Sequence, residues 1–311
     1  MKQGKLFWFA IGMFGMLLSF SKISPPTVET LGERLFFDPI LSEDSTISCG
    51  SCHLPAFAFS DTTPFSKGVG GRLGRRNTQG ITNMSSREHF FYDGRAITLE
   101  QQIMMPVQDS LEMRAHPALI EARLTRHPEY AVLFQQLFQA PPNAELVSQA
   151  IAAYIRTLET SNTPFDRYMK GKPNGMDAAA VRGRRIFMNK GKCFDCHFTP
   201  DFTGDEFRNV GLYNGVEFQD KGRYNQTKDL ADLGKFKVPG LRNVAVTGPY
   251  MHNGMFKTLE QVIEFYDTPD QFIKNPINRD TLLARPLGLS VEEKSDLKAF
   301  LEALTDDRWR N

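Results

Sequence analysis

The sequence predicts a mainly α protein with long loops, built as two domains of related design. Three observations carry this. The chain has 311 residues, about twice a common single-domain length. Short motifs recur in its two halves, and apolar positions repeat at helical rather than strand spacing. Hydrophobic residues make up 41% and charged residues 23%, proportions that fit a packed globular chain and exclude a wholly disordered or multi-span membrane protein. A formal charge of +1 offers no basic surface to neutralise a run of phosphates, so nucleic acid is not an expected partner.

Taken in order, the first element is a targeting segment. Lys2 and Lys5 precede an uncharged run from Leu6 to Phe20, and Ser19-Phe20-Ser21 supplies small residues where a signal peptidase cuts. Residues 1–21 therefore read as a signal peptide, with a retained membrane anchor as the alternative; both imply export. Next, Gly32-Glu33-Arg34-Leu35-Phe36 and Gly183-Arg184-Arg185-Ile186-Phe187 form a weak internal repeat, each predicting a helix that leads into a cysteine motif. From Glu145 to Leu158, the residues Leu146, Ala150, Ile151, Tyr154, Ile155 and Leu158 fall on one helical face. Thr160 to Pro164 then breaks the helix, which places domains at 22–163 and 164–311. A further helix is expected from Leu259 to Asp267. Ser290 and Glu293 make a capping-box pattern ahead of Leu297, Phe300, Leu301 and Leu304. Gly and Pro punctuate long connections such as Gly68 to Gly80 and Val238 to Gly254.

The cysteines decide the chemistry. All four occur as pairs followed directly by histidine: Cys49-Gly50-Ser51-Cys52-His53 and Cys193-Phe194-Asp195-Cys196-His197. Both are C-x-x-C-H, the attachment motif of haem c. Thiols at i and i+3 share one helical face and can add to two haem vinyl groups, while the adjacent histidine reaches the iron. A shared zinc site is disfavoured by the wide separation of the pairs. A thioredoxin-like centre would need a strand–helix unit that the pattern lacks. Disulfides within such short loops would constrain little. Two covalently bound haem c groups are the expected cofactors.

Around these motifs, Leu35-Phe36-Phe37-Asp38-Pro39, Ile47-Ser48, Arg76-Asn77, Asp93-Gly94-Arg95-Ala96, Leu99-Glu100-Gln101-Gln102, Glu112-Met113 and Gly248-Pro249-Tyr250-Met251-His252-Asn253-Gly254 together resemble the bacterial dihaem cytochrome c peroxidase family, which includes the MauG-type enzymes. The resemblance runs from Leu31 to Leu304. It implies an N-terminal peroxidatic haem with His53 as proximal ligand and a C-terminal relay haem with His197. Gln102 and Glu112 match the family's distal glutamine and glutamate, where a carboxylate can shuttle the peroxide proton and an amide can orient the peroxide. Asn77, Thr247 and Pro249 match its calcium site between the domains, built from oxygen donors.

Three departures from the family pattern stand out. Val69 occupies a place where several members carry an iron-blocking histidine, which implies an open sixth site even when fully oxidised. Tyr266 stands where many peroxidases place an axial methionine and MauG-type enzymes a tyrosine, with Met251 or Met255 as alternative ligands; phenolate lowers a haem potential. Tyr92 stands in place of the inter-haem tryptophan as the electron-transfer residue, and Trp309 lies too near the C-terminus to replace it. His252 reads as a hydrogen-bonding residue near the relay haem, and His89, His116 and His127 as surface or capping residues.

The implied activity is peroxidase: hydrogen peroxide reduced to water with electrons entering through the C-terminal haem from a small c-type cytochrome or copper protein, in the periplasm. The alternatives are a MauG-type oxidase acting on a partner protein and a non-enzymatic dihaem electron carrier. The resemblance also implies a homodimer.

Overall fold

The computed structural model describes residues 25–310, so the signal peptide reading lies outside the described residues. Helix α1 (Val28–Phe37) starts at Thr27, whose side chain forms a capping box with Thr30. A long segment of turns follows and carries the first cysteine motif. Then come α2 (Leu99–Gln108), α3 (Pro117–Arg126), α4 (Pro128–Phe138) and α5 (Ala144–Arg156). The apolar stripe read in the sequence is the buried face of α5, and Asn143 caps its start. In the second half lie α6 (Pro164–Met169), α7 (Ala178–Met188), the short α8 (Tyr224–Thr227), α9 (Leu259–Asp267) and α10 (Val291–Glu302). The expected capping box of Ser290 and Glu293 is present on α10. Strand structure among the described residues is slight: β1 (Phe207–Arg208) pairs antiparallel with β2 (Phe236–Lys237), placing Phe207 opposite Lys237. The chain is mainly helical with long loops, as predicted.

The weak repeat has a steric cause. A Cβ on Gly32 of α1 would lie 1.8 Å from the Ala150 carbonyl oxygen of α5, and one on Gly183 of α7 would lie 1.8 Å from that of Asp296 in α10. Each half therefore crosses two helices backbone to backbone at a point that only glycine permits. Four residues on, Phe36 and Phe187 are buried, each contributing roughly 1.5–3 kcal/mol.

Two main apolar cores result. One gathers Leu31, Leu35, Phe36, Tyr130, Phe134 and Ile151 with neighbours up to Leu158. The other gathers Phe165, Phe187, Phe202, Phe300 and Leu304. A smaller cluster of Leu212, Phe256, Phe265 and Ile273 supports α9. After α10 the chain crosses back to the first half. Asp306 accepts hydrogen bonds from the Ser161 and Asn162 amides at 3.2 Å. The Trp309 indole N–H donates to the Pro55 carbonyl at 2.7 Å.

Candidate active site

One cavity of about 910 Å³ runs between the cores and is lined by both cysteine pairs and both motif histidines. Cys49 and Cys193 each open a single 3₁₀ turn, in which i and i+3 eclipse, so the two thiols share a side. The chain widens to an α-type turn at each histidine: the amide of His53 donates to the Cys49 carbonyl, and that of His197 to the Cys193 carbonyl, both at 2.9 Å.

The two imidazoles are held alike. His53 Nδ1 lies 2.9 Å from the Phe59 carbonyl oxygen and His197 Nδ1 lies 2.8 Å from that of Phe202. Donation to a carbonyl fixes the proton on Nδ1 and leaves the Nε2 lone pair for a metal. Burial lowers both histidines, His197 to about 4, so each is neutral and able to coordinate. Burial, with the neighbouring Cys52, pushes the Cys49 thiol up to about 12; burial alone leads the rise of Cys193 to about 12. Paired thiols beside a neutral, oriented imidazole, twice over on one large cavity, fit two haem c groups: Cys49, Cys52 and His53 would hold one, Cys193, Cys196 and His197 the other.

Gln102 and Glu112 both line this cavity. Thr98 caps α2 and sets Gln102 in its first turn, where the Gln102 amide donates to the Thr98 carbonyl at 3.1 Å. Glu112 lies in the turn after α2. Both side chains line the cavity, and no hydrogen bond among the described residues uses either. Burial and then Asp109 raise the Glu112 carboxyl above the usual carboxylate range, against Arg95 and Arg75. Glu112 in turn contributes to the raised thiols of Cys49 and Cys52, which ties it to the first site.

The sequence did not show what holds Glu112. The Val69 amide donates to the Glu112 carbonyl at 2.8 Å. A Cβ on Gly68 would lie 2.1 Å from the Leu111 carbonyl oxygen, so this turn lies flat on the Glu112 backbone. Val69 is 5% exposed and is not among the residues that line the cavity.

At the second site, Tyr266 and Met251 both line the cavity, whereas Met255 packs into the cluster around Phe256 and Phe265. Burial, with Cys196 and Cys193, raises the Tyr266 phenol. No hydrogen bond among the described residues uses its hydroxyl. Tyr92 stands between the halves. Its hydroxyl donates to the Met251 carbonyl at 3.4 Å, and its own carbonyl accepts the Lys237 amide at 2.7 Å. Its ring meets that of His252 edge-on at 6.4 Å, and His252 stacks on Phe236 at 3.8 Å. Burial lowers His252 to about 4, leaving it neutral.

Asn77, Thr247 and Pro249 line the same cavity. The Asn77 amide donates to the His252 carbonyl at 2.7 Å, and its side-chain nitrogen donates to the Thr63 carbonyl at 3.1 Å. The Asn77 Oδ1 and the Thr247 and Pro249 carbonyls are free of hydrogen bonds among the described residues. No group of three His, Cys, Asp or Glu side chains able to hold a metal occurs among the described residues, so a cation here would rest on these neutral oxygens. His116 and His127 sit at helix ends as expected. His89 departs from its surface reading: it lines the cavity, and its Nδ1 is buried without a hydrogen-bond partner.

Two oriented, neutral imidazoles beside paired thiols, one carboxyl–amide pocket and a phenol between the halves define a redox protein built around two haems. Residues 26–174 match the di-haem cytochrome c peroxidase family. The chain is 36% identical to cytochrome-c peroxidase IdrP1 of Denitromonas iodatirespirans, over 88% of this chain and 80% of that one. It is 37% identical to the methylamine utilization protein MauG of Methylorubrum extorquens, over 91% and 80%. A crystal structure of a MauG-like protein associated with microbial copper homeostasis superposes with a TM-score of 0.82 at 28% identity, covering 94% of this chain and 98% of that one. The chain belongs to the dihaem cytochrome c peroxidase/MauG family.

Proposed function

We propose that the protein is a peroxidase that reduces hydrogen peroxide to water, with a peroxidatic haem c domain at 22–163 and an electron-relay haem c domain at 164–311. The observation that carries this is Glu112: a carboxyl raised by burial, without a hydrogen-bond partner among the described residues, on the cavity wall beside the Cys49–Cys52–His53 site. When bound, the haem at that site supplies the iron and redox chemistry for cleaving the O–O bond. The protein's part is proton handling and orientation. The Glu112 carboxylate takes the proton from one peroxide oxygen and returns it to the other, so that the distal oxygen leaves as water. The Gln102 amide, with both a donor and an acceptor, fixes the peroxide between them. Two electrons and two further protons complete the second water. Tyr92 forms the bridge between the halves, and its buried phenol must release its proton when it carries a hole.

Electrons would come from a small c-type cytochrome or copper protein at the C-terminal half, in the periplasm. Calcium would sit on Asn77, Thr247 and Pro249 and hold the halves together, and a lower melting temperature in a chelator tests this. Stopped-flow mixing with peroxide, followed by turnover with a reduced small donor, tests the main reading. The absence of turnover with any such donor would overturn it. One observation favours a second reading, a MauG-type oxidase acting on a partner protein: the unpartnered Tyr266 phenol at the C-terminal site. Peroxide-driven modification of a protein substrate without donor turnover would establish it instead.

A further inference from the structure

Several arginines on the cavity wall are well paired. Arg76 binds Asp220 at 2.7 and 2.9 Å and Asp93 at 2.8 Å. Arg242 binds Asp166 at 3.1 Å through both terminal nitrogens and Asp201 at 3.0 Å. Two cations on the same wall differ. The Arg87 side chain is 6% exposed, and among the described residues its one polar contact is a loose approach of Nη2 to Asp201 at 3.4 Å. Lys237 is 7% exposed, and among the described residues its Nζ has one contact, with Asp205 at 3.3 Å. A guanidinium carries five donors and an ammonium three, so most of this donor capacity is unused in a buried place.

The carboxylates nearby are already engaged. Asp205 already accepts the Glu88 and His89 amides at 2.7 and 3.0 Å, and Asp201 is shared with Arg242. Burying a cation without full hydrogen bonding is costly, and burial lowers the pKa of both groups. An anion arriving from the cavity side would meet free donors of two residues at once. Both residues frame the second haem site. Asp201 precedes Phe202, whose carbonyl orients His197, and Lys237 stands two residues before Pro239, whose backbone also supports that imidazole.

We propose that Arg87 and Lys237 form a two-pronged carboxylate clamp for a propionate of the C-terminal haem, an inference that rests on the dihaem reading above. The clamp joins the halves: Arg87 shares a segment with Tyr92, and the Tyr92 carbonyl receives the Lys237 amide. Filling the second site thereby fixes the bridge residue as well as the cofactor.

The test uses the full-length holoprotein with Lys237→Met, Arg87→Gln and, as a control, the more exposed Lys235→Met. Haem content comes from mass spectrometry, the propionate bending band from resonance Raman, and the midpoint potential of each haem from spectroelectrochemistry. Either clamp variant is expected to shift the propionate band and to move the C-terminal midpoint downward, because a cation that favoured the reduced form is gone. The midpoint also becomes pH dependent as the unpaired propionate takes up a proton on reduction. The N-terminal midpoint and the control stay unchanged. The band belongs to the haem itself, so binding of a free carboxylate such as acetate would leave it unmoved and would count against the clamp. Should Lys237→Met fail to mature, Lys237→Arg is expected to restore both readouts and Arg87→Gln still carries the test. Two attached haems with unmoved bands and potentials in both variants would overturn the clamp alone, whereas fewer than two haems in the wild type would overturn the dihaem reading with it.

Discussion

Replacing Glu112 by glutamine removes a proton acceptor while keeping the shape of the side chain. The Glu112 carboxyl lines the cavity and no described residue hydrogen-bonds it, so the substitution breaks no hydrogen bond among the described residues and leaves Gln102 and the Val69 contact in place. The loss is then confined to proton transfer. Positioned general acid–base groups contribute roughly 10²–10⁴-fold, or about 2.7–5.5 kcal/mol of barrier, and the peroxide kcat is expected to fall by that factor with KM little changed. The pH profile gives a second readout. The raised carboxyl must be ionised to act, so the wild-type acid limb lies above the ordinary value of 4.5, and Glu112→Gln lacks it. Stability moves the other way. A folded-state pKa above the unfolded one means that the folded protein holds the proton more tightly, so this group's contribution is full below 4.5 and is lost as pH rises through the raised value. At neutral pH the uncharged amide should therefore melt at the same temperature or higher. Stopped-flow peroxide kinetics and a thermal melt on one preparation measure both effects. Near-wild-type turnover in Glu112→Gln, or an unchanged acid limb, would refute the assignment of Glu112 as the proton shuttle.

Other consequences are equally open to measurement. Gly183→Ala sets a carbon 1.8 Å from the Asp296 carbonyl oxygen and should cost at least the ~1–3 kcal/mol typical of overpacking, seen as a lower melting temperature. Gly74→Ala, whose added carbon meets nothing closer than 3.6 Å, should be silent. Tyr266→Phe is expected to change the EPR and magnetic circular dichroism of the C-terminal haem alone; if only Met251→Leu changes them, methionine is the ligand. Tyr92→Phe should slow electron transfer between the haems and abolish its solvent isotope effect, since the remaining ring has no proton to move.

The sequence revealed the chemistry more readily than the framework. The C-x-x-C-H motifs, the α5 stripe, the α9 span and the Ser290 cap were all legible because each is a local pattern within a single stretch of chain. Gly32 and Gly183 were visible as a repeat, but their purpose was not, since the atoms they make room for lie more than a hundred residues away. Gly68, which bears on the backbone of Glu112, and Arg87 and Lys237, each paired with an aspartate from another part of the chain, were hidden for the same reason, since their partners lie well outside any local pattern. His89 looked like a surface residue because a polar side chain facing an internal cavity has the sequence pattern of one facing water.

The return of residues 305–310 to the first half governs how the molecule comes apart. Trp309 covers the loop just past His53, and Asp306 grips the very linker that joins the halves, so the connection between them is doubled. Proteolytic nicking between Glu159 and Thr163 should leave the fragments associated, and the halves should melt together in one cooperative transition until this strap is released.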